Sequence, residues 1–131
     1  MAAAESYPDD VHYHREHDWA RVEGDVAVLG ITWFAQDALG ELVHYEPPEL
    51  GAAIAAGSAY GEVESVKAVS DLIAPLSGEV LEVNAKVVDG PETVNEDPYG
   101  DGWLIKIRLS DPAEVDGLLD AEAYTRFVAE Q

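Results

Sequence analysis

The sequence has no cysteine, few basic residues and no long apolar run. Without cysteine the chain cannot form a disulfide, bind a metal through thiolates or use a cysteine nucleophile. It has 7 Lys and Arg residues against 27 Asp and Glu residues, a net charge of −20. The whole surface therefore repels a phosphate backbone, which excludes nucleic acid as a partner. Because no run of about 18 or more apolar residues occurs, we also expect no membrane span.

The remaining composition is that of one globular domain. The chain has 131 residues, of which 47% are hydrophobic, and this is enough to build a single core. We therefore expect one domain over residues 1–131, with residues 1–11 as a flexible N-terminal segment. The opening MAAAESYPDD lacks the basic and apolar regions of a targeting sequence. This predicts a cytoplasmic location, or the mitochondrial matrix if a presequence has been removed.

The first half of the chain alternates between strand patterns and one short helix. Residues 18–31 predict a hairpin that turns at Gly24 and Asp25. Thr32 is suited to cap a helix that ends near Leu39, and Gly40 is suited to its left-handed C-terminal position. Strand pattern then resumes over residues 41–46 and stops at a pair of prolines, which offer no backbone N–H to a sheet.

The second half predicts more strands and a helical tail. Strand patterns cover residues 60–66, 69–74, 78–83 and 103–109. Residues 89–102 read as a loop rich in Pro, Gly, Asn and Asp, with a helical turn near 91–94. Asp111 followed by Pro112 predicts a capped helix start, and Tyr124, Phe127 and Val128 have the spacing of one helix face. A β body closed by helices is the predicted architecture.

The setting of one lysine differs from that of the other two. Lys106 lies within an alternating strand and Lys86 within a predicted polar loop, where each has an ordinary solvated role. Lys67 lies between two strand segments, so we expect it at an exposed hairpin tip. There a modifying enzyme could reach its amine, although spacing alone predicts only a solvated side chain.

The sequence around Lys67 resembles a known family. The segment GEVESVKAVSDL, residues 61–72, is similar to the lipoylation segment of the glycine cleavage H proteins, whose recurring form is VESVKAxSD. Similarity continues in family order through HDW, EGD, GIT, AQDALGELV, PLSGEVLEVN, VNEDPYGDGWLIKI and LLDAEAY. It covers roughly residues 12–128.

This resemblance implies a fold, a cofactor and a function. The implied fold is a mainly β hybrid sandwich (a barrel-sandwich) of the lipoyl/biotinyl-domain type, with short helices and a C-terminal helical segment. Lipoic acid would be joined by an amide to Lys67. The chain would be a non-catalytic shuttle that takes an aminomethyl group from glycine decarboxylase (P protein) to the tetrahydrofolate-dependent aminomethyltransferase (T protein). Dihydrolipoyl dehydrogenase (L protein) would reoxidise it, and a lipoate ligase or lipoyl/octanoyltransferase would load it.

The resemblance also assigns roles to four further residues. Glu64 and Gly78 match positions that resemble the family's ligase-recognition features, although Glu64 is equally suited to be an outward strand carboxylate. Asp18 and Asp71 match acidic positions that line the family's arm-docking cleft, where they would accept hydrogen bonds from the protonated amine. The chain departs from the family pattern at its Trp-Phe pair, residues 33–34, and at Pro47.

Other interpretations fit less well. Biotinyl domains centre on Met-Lys-Met, and acyltransferase lipoyl domains favour Asp-Lys-Ala. The histidines at positions 12, 14 and 17 suggest a metal site beside two acids, but no second ligand set accompanies them. No nucleophile triad or phosphate-binding loop is present, so we expect no catalysis. Within the family, a relay that supplies lipoyl groups to other complexes is the alternative to glycine cleavage.

Overall fold

The computed structural model describes residues 3–131 and consists of two antiparallel sheets and short helices. The strands of this part are β1 (His12–Tyr13), β2 (Asp18–Glu23), β3 (Val26–Ile31), β4 (Leu42–Glu46), β5 (Ala53–Ile54), β6 (Ala59–Ser65), β7 (Val69–Ile73), β8 (Gly78–Val83) and β9 (Ile105–Leu109). The helices are α1 (Trp33–Leu39), α2 (Ala85–Asp89), α3 (Thr93–Glu96), a 3-10 helix (Pro112–Gly117) and α4 (Ala121–Ala129). The predicted mainly β architecture is confirmed.

The two sheets enclose the main core. The larger has six strands in the order β1-β2-β3-β9-β8-β5, and the smaller has three in the order β4-β6-β7. Inward side chains of both sheets bury one apolar cluster, as expected for two packed sheets. It includes Leu29, Tyr45, Val63 and Ile107. The hairpin β6–β7 forms most of the smaller sheet, and the residues of its tip, 66–68, are exposed.

Local signals set the first hairpin and α1 as predicted. Strands β2 and β3 pair from Asp18↔Ile31 to Glu23↔Val26, and Gly24 turns with a φ of 65°. The Thr32 hydroxyl accepts a 3.2 Å hydrogen bond from the Ala35 N–H at the start of α1. At the other end Gly40 has a φ of 86° and donates its N–H to Gln36 O.

One helical segment departs from the predicted loop. Lys86 lies in α2, so its placement in a polar loop was wrong. The reason is a cap: Asn84 Oδ1 accepts the Lys86 N–H, while Asn84 Nδ2 donates to the carbonyls of Asp101 and Trp103. Burial of Val87 then fixes the short helix against the core. The helical turn expected near 91–94 is present as α3, shifted by two residues.

The C-terminal helical segment is confirmed. Asp111 accepts the Ala113 N–H, but the helix that follows is of the 3-10 type. Helix α4 is capped by the Asp120 carboxylate, which accepts the Ala123 N–H. Its buried Tyr124 ring stacks on Tyr13 of β1 with 4.6 Å between ring centroids. This stack attaches the tail to the larger sheet.

Residues 3–10 lack regular structure but have specific contacts. Their carbonyls accept hydrogen bonds from three aromatic side chains: Ala3 O from Trp33 Nε1, Ser6 O from the Tyr99 hydroxyl, and Pro8 O from the Tyr13 hydroxyl. The flexibility expected of residues 1–11 stays a prediction, as does the single domain over the whole chain. Residues 1 and 2 lie outside the described residues. Between residues 3 and 131, no helix is long and apolar enough to cross a bilayer.

Candidate functional site

The hairpin β6–β7 ends in a three-residue tip of Val66, Lys67 and Ala68. The buried Ser65 closes it: its Oγ accepts hydrogen bonds from the N–H groups of Lys67 (3.2 Å) and Ala68 (3.1 Å). The Ser65 N–H donates to Ala68 O at 2.7 Å. A serine hydroxyl therefore satisfies the backbone groups of a turn that contains no glycine.

The tip is also attached to the connection between α1 and β4. The Val66 N–H donates to Glu41 O at 3.2 Å. The Lys67 stem lies along Gly40, where an added methyl group would be 3.5 Å from Lys67 Cε. Gly40 thus ends α1 and also leaves room beside the lysine.

Lys67 is exposed and differs from the other two lysines in its charge partners. Lys86 Nζ lies 3.3 Å from an Asp101 oxygen, and Lys106 Nζ lies 3.5 Å from a Glu82 oxygen. Across residues 3–131 no salt bridge involves Lys67. Its amine is therefore the one available for acylation without breaking an ion pair.

A polar cleft of about 250 Å³ adjoins the Lys67 stem. It lies between α1 and α3, and Asn95 organises it. Asn95 Oδ1 accepts the Leu42 N–H, and Asn95 Nδ2 donates to Gln36 Oε1 and Gly40 O. Sequence pattern does not reveal this role of Asn95, because an Asn inside a Pro- and Gly-rich segment has the local appearance of a turn residue.

Two of the predicted site residues lie close to the tip. In β6 Glu64 pairs with Val69 of β7, and Glu62 pairs with Asp71, so Glu64 and Asp71 project from the same outward face. Both are exposed. Their predicted roles, ligase recognition for Glu64 and arm docking for Asp71, stay predictions that this placement permits.

Gly78 lies in the other sheet, buried at the start of β8. A Cβ there would clash with the backbone oxygen of Arg108 in β9. Close backbone approach therefore requires glycine at this position whatever the ligase recognises. Its predicted part in ligase recognition remains untested.

Asp18 is only 2% exposed, and its Oδ2 has no hydrogen-bond partner among the described protein atoms. Burial, together with the negative charge of Glu16, raises the pKa of Asp18 well above its ordinary range. The buried Tyr60 hydroxyl is likewise without a partner, and burial and then the Asp18 charge raise the Tyr60 pKa. Neither Asp18 nor Asp71 lines the cleft beside Lys67.

His17 of the histidine cluster and the Trp-Phe pair have packing roles in the structure. His17 adopts a φ of 71°, its Nδ1 lies 2.7 Å from the Tyr124 hydroxyl, and its ring packs on Phe34 at 4.6 Å. Trp33 binds the N-terminal segment. No group of three His, Asp or Glu residues in the described chain is arranged to hold a metal ion.

Comparison with known proteins decides the family. A family model described as Glycine cleavage H-protein matches residues 11–131. The chain belongs to this family. The protein from Symbiobacterium thermophilum is 54% identical over 123 residues, which cover 94% of this chain and 96% of that one. The protein from Halorhodospira halophila is 54% identical over 125 residues, covering 95% and 96%. Both are named Glycine cleavage system H protein.

A solved structure gives the same answer for the fold. The glycine cleavage system H protein of Mycobacterium marinum matches with a TM-score of 0.86 and 43% identity, covering 93% of this chain and 98% of that one. The barrel-sandwich fold and the family resemblance are therefore confirmed. Family membership makes the chain a non-catalytic lipoyl carrier of the glycine cleavage system, whose other components are the P, T and L proteins.

Replacing Asp18 by Asn tests the buried carboxylate. Because the folded Asp18 pKa lies above its unfolded value of 3.8, the folded chain binds this proton more tightly. The free energy of unfolding of the wild type therefore falls as pH rises from the unfolded pKa of Asp18 to its higher folded pKa, whereas Asp18→Asn lacks this loss. The melting temperature of the variant should exceed that of wild type at about pH 8, and the gap should shrink at about pH 5. Equal gaps, or a gap also shown by the exposed Asp116→Asn control, would contradict the account.

Replacing Gly78 by Ala tests whether backbone packing requires the glycine. The clash with Arg108 O should lower the free energy of unfolding by about 1–3 kcal/mol. The control Gly117→Ala, with no atom within 4 Å of the new methyl group, should change it by less than about 1 kcal/mol. Denaturant titration measures both. A Gly78→Ala protein of wild-type stability that cannot be lipoylated would instead show direct recognition by the ligase.

Proposed function

We propose that the chain carries a lipoyl group on Lys67 Nζ and presents it in turn to glycine decarboxylase, aminomethyltransferase and dihydrolipoyl dehydrogenase. A lipoate ligase or a lipoyl/octanoyltransferase would attach the group. The observation that carries this proposal is the geometry of the tip. There an exposed lysine, which has no ion pair among residues 3–131, stands on a turn closed by a buried serine.

The residues around Lys67 fit such a group. An amide at Nζ removes the lysine charge, and no carboxylate in the described residues loses a salt bridge when this happens. Gly40 leaves space beside the stem. When bound, the lipoyl group supplies the disulfide that is reduced as the aminomethyl group is taken up. A chain without cysteine has no thiol of its own to exchange with that disulfide.

The residues around Lys67 contribute by fixing where its amine lies and what surrounds it. Ser65 fixes the backbone from which the Lys67 side chain extends, and Val66 links the tip to Glu41. Glu64, three residues before Lys67, is exposed on the outward face, where a ligase that approaches the amine would meet it. Gly78 would contribute indirectly, through the close pairing of β8 and β9.

The two acidic positions assigned to docking differ in access. Asp71 is exposed on β7, four residues after Lys67. Its carboxylate is free to accept a hydrogen bond from the protonated amine of an aminomethyl group carried on the Lys67 side chain. Asp18 is buried with an unpartnered oxygen. It could accept such a bond only if the adjoining surface opened, so we assign the first contact to Asp71.

We place this function in the cytoplasm. The relatives compared above are bacterial proteins, which supports a cytoplasmic carrier over one in the mitochondrial matrix.

Lipoylation should map to Lys67 alone. After co-expression with a lipoate ligase and free lipoate, intact mass should show one added group, and peptide mapping should place it within residues 61–72. Lys67→Arg should keep the wild-type melting temperature, because the side chain is exposed, and should carry no group. The controls Lys86→Arg and Lys106→Arg should be loaded as wild type is. A lipoyl group on Lys86 or Lys106, or none on wild type, would refute the proposal.

A further inference from the structure

Four residues from three separate segments are joined by a closed ring of hydrogen bonds. Trp33 Nε1 donates to Ala3 O at 2.8 Å, and the Ala3 N–H donates to Asn95 O at 3.0 Å. Asn95 Nδ2 donates to Gln36 Oε1 at 3.0 Å, and Gln36 Nε2 donates back to Trp33 O at 2.9 Å. Each residue thus donates one bond within the ring and accepts one, an order in which the bonds strengthen one another. We call this arrangement the Ala3 ring.

The Ala3 ring connects the two helices that border the cleft beside Lys67. Trp33 and Gln36 belong to α1, and Asn95 belongs to α3. Ala3 comes from the N-terminal segment and bonds to both helices. Gln36 and Asn95 are buried, and a buried amide that loses its partner carries the cost of an unsatisfied polar group. The ring therefore opposes separation of α1 from α3.

Asn95 also holds the connection between α1 and β4, to which the hairpin tip is attached. Its Nδ2 donates to Gly40 O at 2.9 Å, and its Oδ1 accepts the Leu42 N–H at 2.9 Å. The carbonyl of Glu41, between these two residues, accepts the Val66 N–H of the tip. One side chain of the Ala3 ring therefore fixes the connection that supports the tip.

The N-terminal segment is held along its length by aromatic side chains. The Tyr99 hydroxyl donates to Ser6 O at 2.7 Å and accepts the Trp33 N–H at 2.9 Å. The Tyr13 hydroxyl donates to Pro8 O at 2.7 Å. These bonds recognise the backbone of the segment in an order that follows the chain. We call residues 3–8 the strap.

Two members of the Ala3 ring lie outside what the family resemblance predicts. The family model begins its match at residue 11, so Ala3 is beyond it. Trp33 occupies a position where the chain departs from the family pattern. These two residues bond to each other, so the ring is a constraint that the resemblance does not supply.

We propose that Asn95 and Trp33 are positioning residues for the acylation of Lys67, and that the strap keeps them in place. The inference deepens the proposed function and rests on it. With the Ala3 ring closed, Asn95 holds residues 40–42, which support the hairpin tip. With the ring open, the tip keeps the hydrogen bonds of its own turn, but the connection that supports it is free to move.

The effect of positioning should appear in kcat for the loading reaction. Acylation requires Lys67 Nζ to reach the acyl carbon of a donor bound to the modifying enzyme. A lysine on a fixed support occupies the reactive geometry more often than a lysine on a loose support. The exposed residues of the hairpin stay the same, so KM for the protein substrate should not change. A loss of overall stability alone would change neither value far below the melting temperature.

Trp33→Phe and Trp103→Phe form a matched pair of test and control. Both tryptophans are half-buried, and each substitution keeps an aromatic ring while it removes an indole N–H. The Trp33 indole N–H closes the Ala3 ring, whereas the Trp103 indole N–H has no acceptor among residues 3–131. For each protein, kcat and KM are measured with a lipoate ligase. Hydrogen exchange of the Leu42 and Val66 amides is measured on the unloaded chain.

The two variants should differ in a defined way. In Trp33→Phe the Leu42 and Val66 amides should exchange at least about threefold faster, and kcat should fall about threefold at unchanged KM. Trp103→Phe should match wild type in all of these quantities. Acetylation of Lys67 by dilute acetic anhydride, which needs no positioning by an enzyme, should proceed at the same rate in every variant.

Ala3→Pro opens the same ring from the strap, because proline has no N–H to donate to Asn95 O. It should reproduce the loss in kcat. Combined with Trp33→Phe it should cost no more than either change alone, because one broken bond already opens the ring. Additive losses would show two independent contacts and would contradict the ring.

An equal kcat for Trp33→Phe and Trp103→Phe would overturn the proposal. Unchanged exchange at Leu42 and Val66 would also overturn it. A raised KM at unchanged kcat would do the same, because it would place Trp33 in contact with the ligase. Failure of the proposed function has a different signature: the wild type would then carry no lipoyl group, while the exchange rates would still differ between the two variants.

Discussion

The position of Lys67 depends on the hydrogen bonds of one buried hydroxyl. Ser65 Oγ accepts the N–H groups of Lys67 and Ala68, so the hairpin turns within three residues and without a glycine. A glycine turn would have more conformations available and would leave the lysine less well placed. The Val66 bond to Glu41 and the contact of the Lys67 stem with Gly40 add two further constraints from outside the hairpin. A cofactor attached to Lys67 would thus have a fixed point of attachment.

The elements that sequence predicts well are those set by neighbouring residues. The hairpin turning at Gly24, the cap at Thr32 and the positive φ of Gly40 all follow from local chemistry, and the structure confirms them. Helix α2 was missed because its cap residue, Asn84, is held by carbonyls of residues 101 and 103, which are distant in sequence. Asn95 was missed for a similar reason, since its three partners lie in α1, at its end and at the start of β4.

The same distinction holds at the site. The motif around Lys67 predicts an exposed tip with Glu64 and Asp71 nearby, because strand alternation places them on one face. It does not predict that Asp18 is buried with an unpartnered oxygen, which depends on how β2 packs under the rest of the fold. Nor does it predict the contact with Arg108 O that restricts Gly78 to glycine. Such facts require the distances between elements, which local pattern does not contain.

We propose that the order that Ser65 gives to the tip makes Lys67 a substrate for lipoylation. Ser65→Ala removes the acceptor of two tip amides, while Ser70→Ala removes a hydroxyl of the same hairpin that, among the described residues, bonds only to the neighbouring Asp71 carbonyl. The deciding measurement is the lipoylation rate of each variant with a lipoate ligase, alongside hydrogen exchange of the tip amides. Faster exchange at Lys67 and Ala68 with a rate at least about threefold lower in Ser65→Ala alone is the predicted result. Faster exchange with an unchanged lipoylation rate would contradict the account.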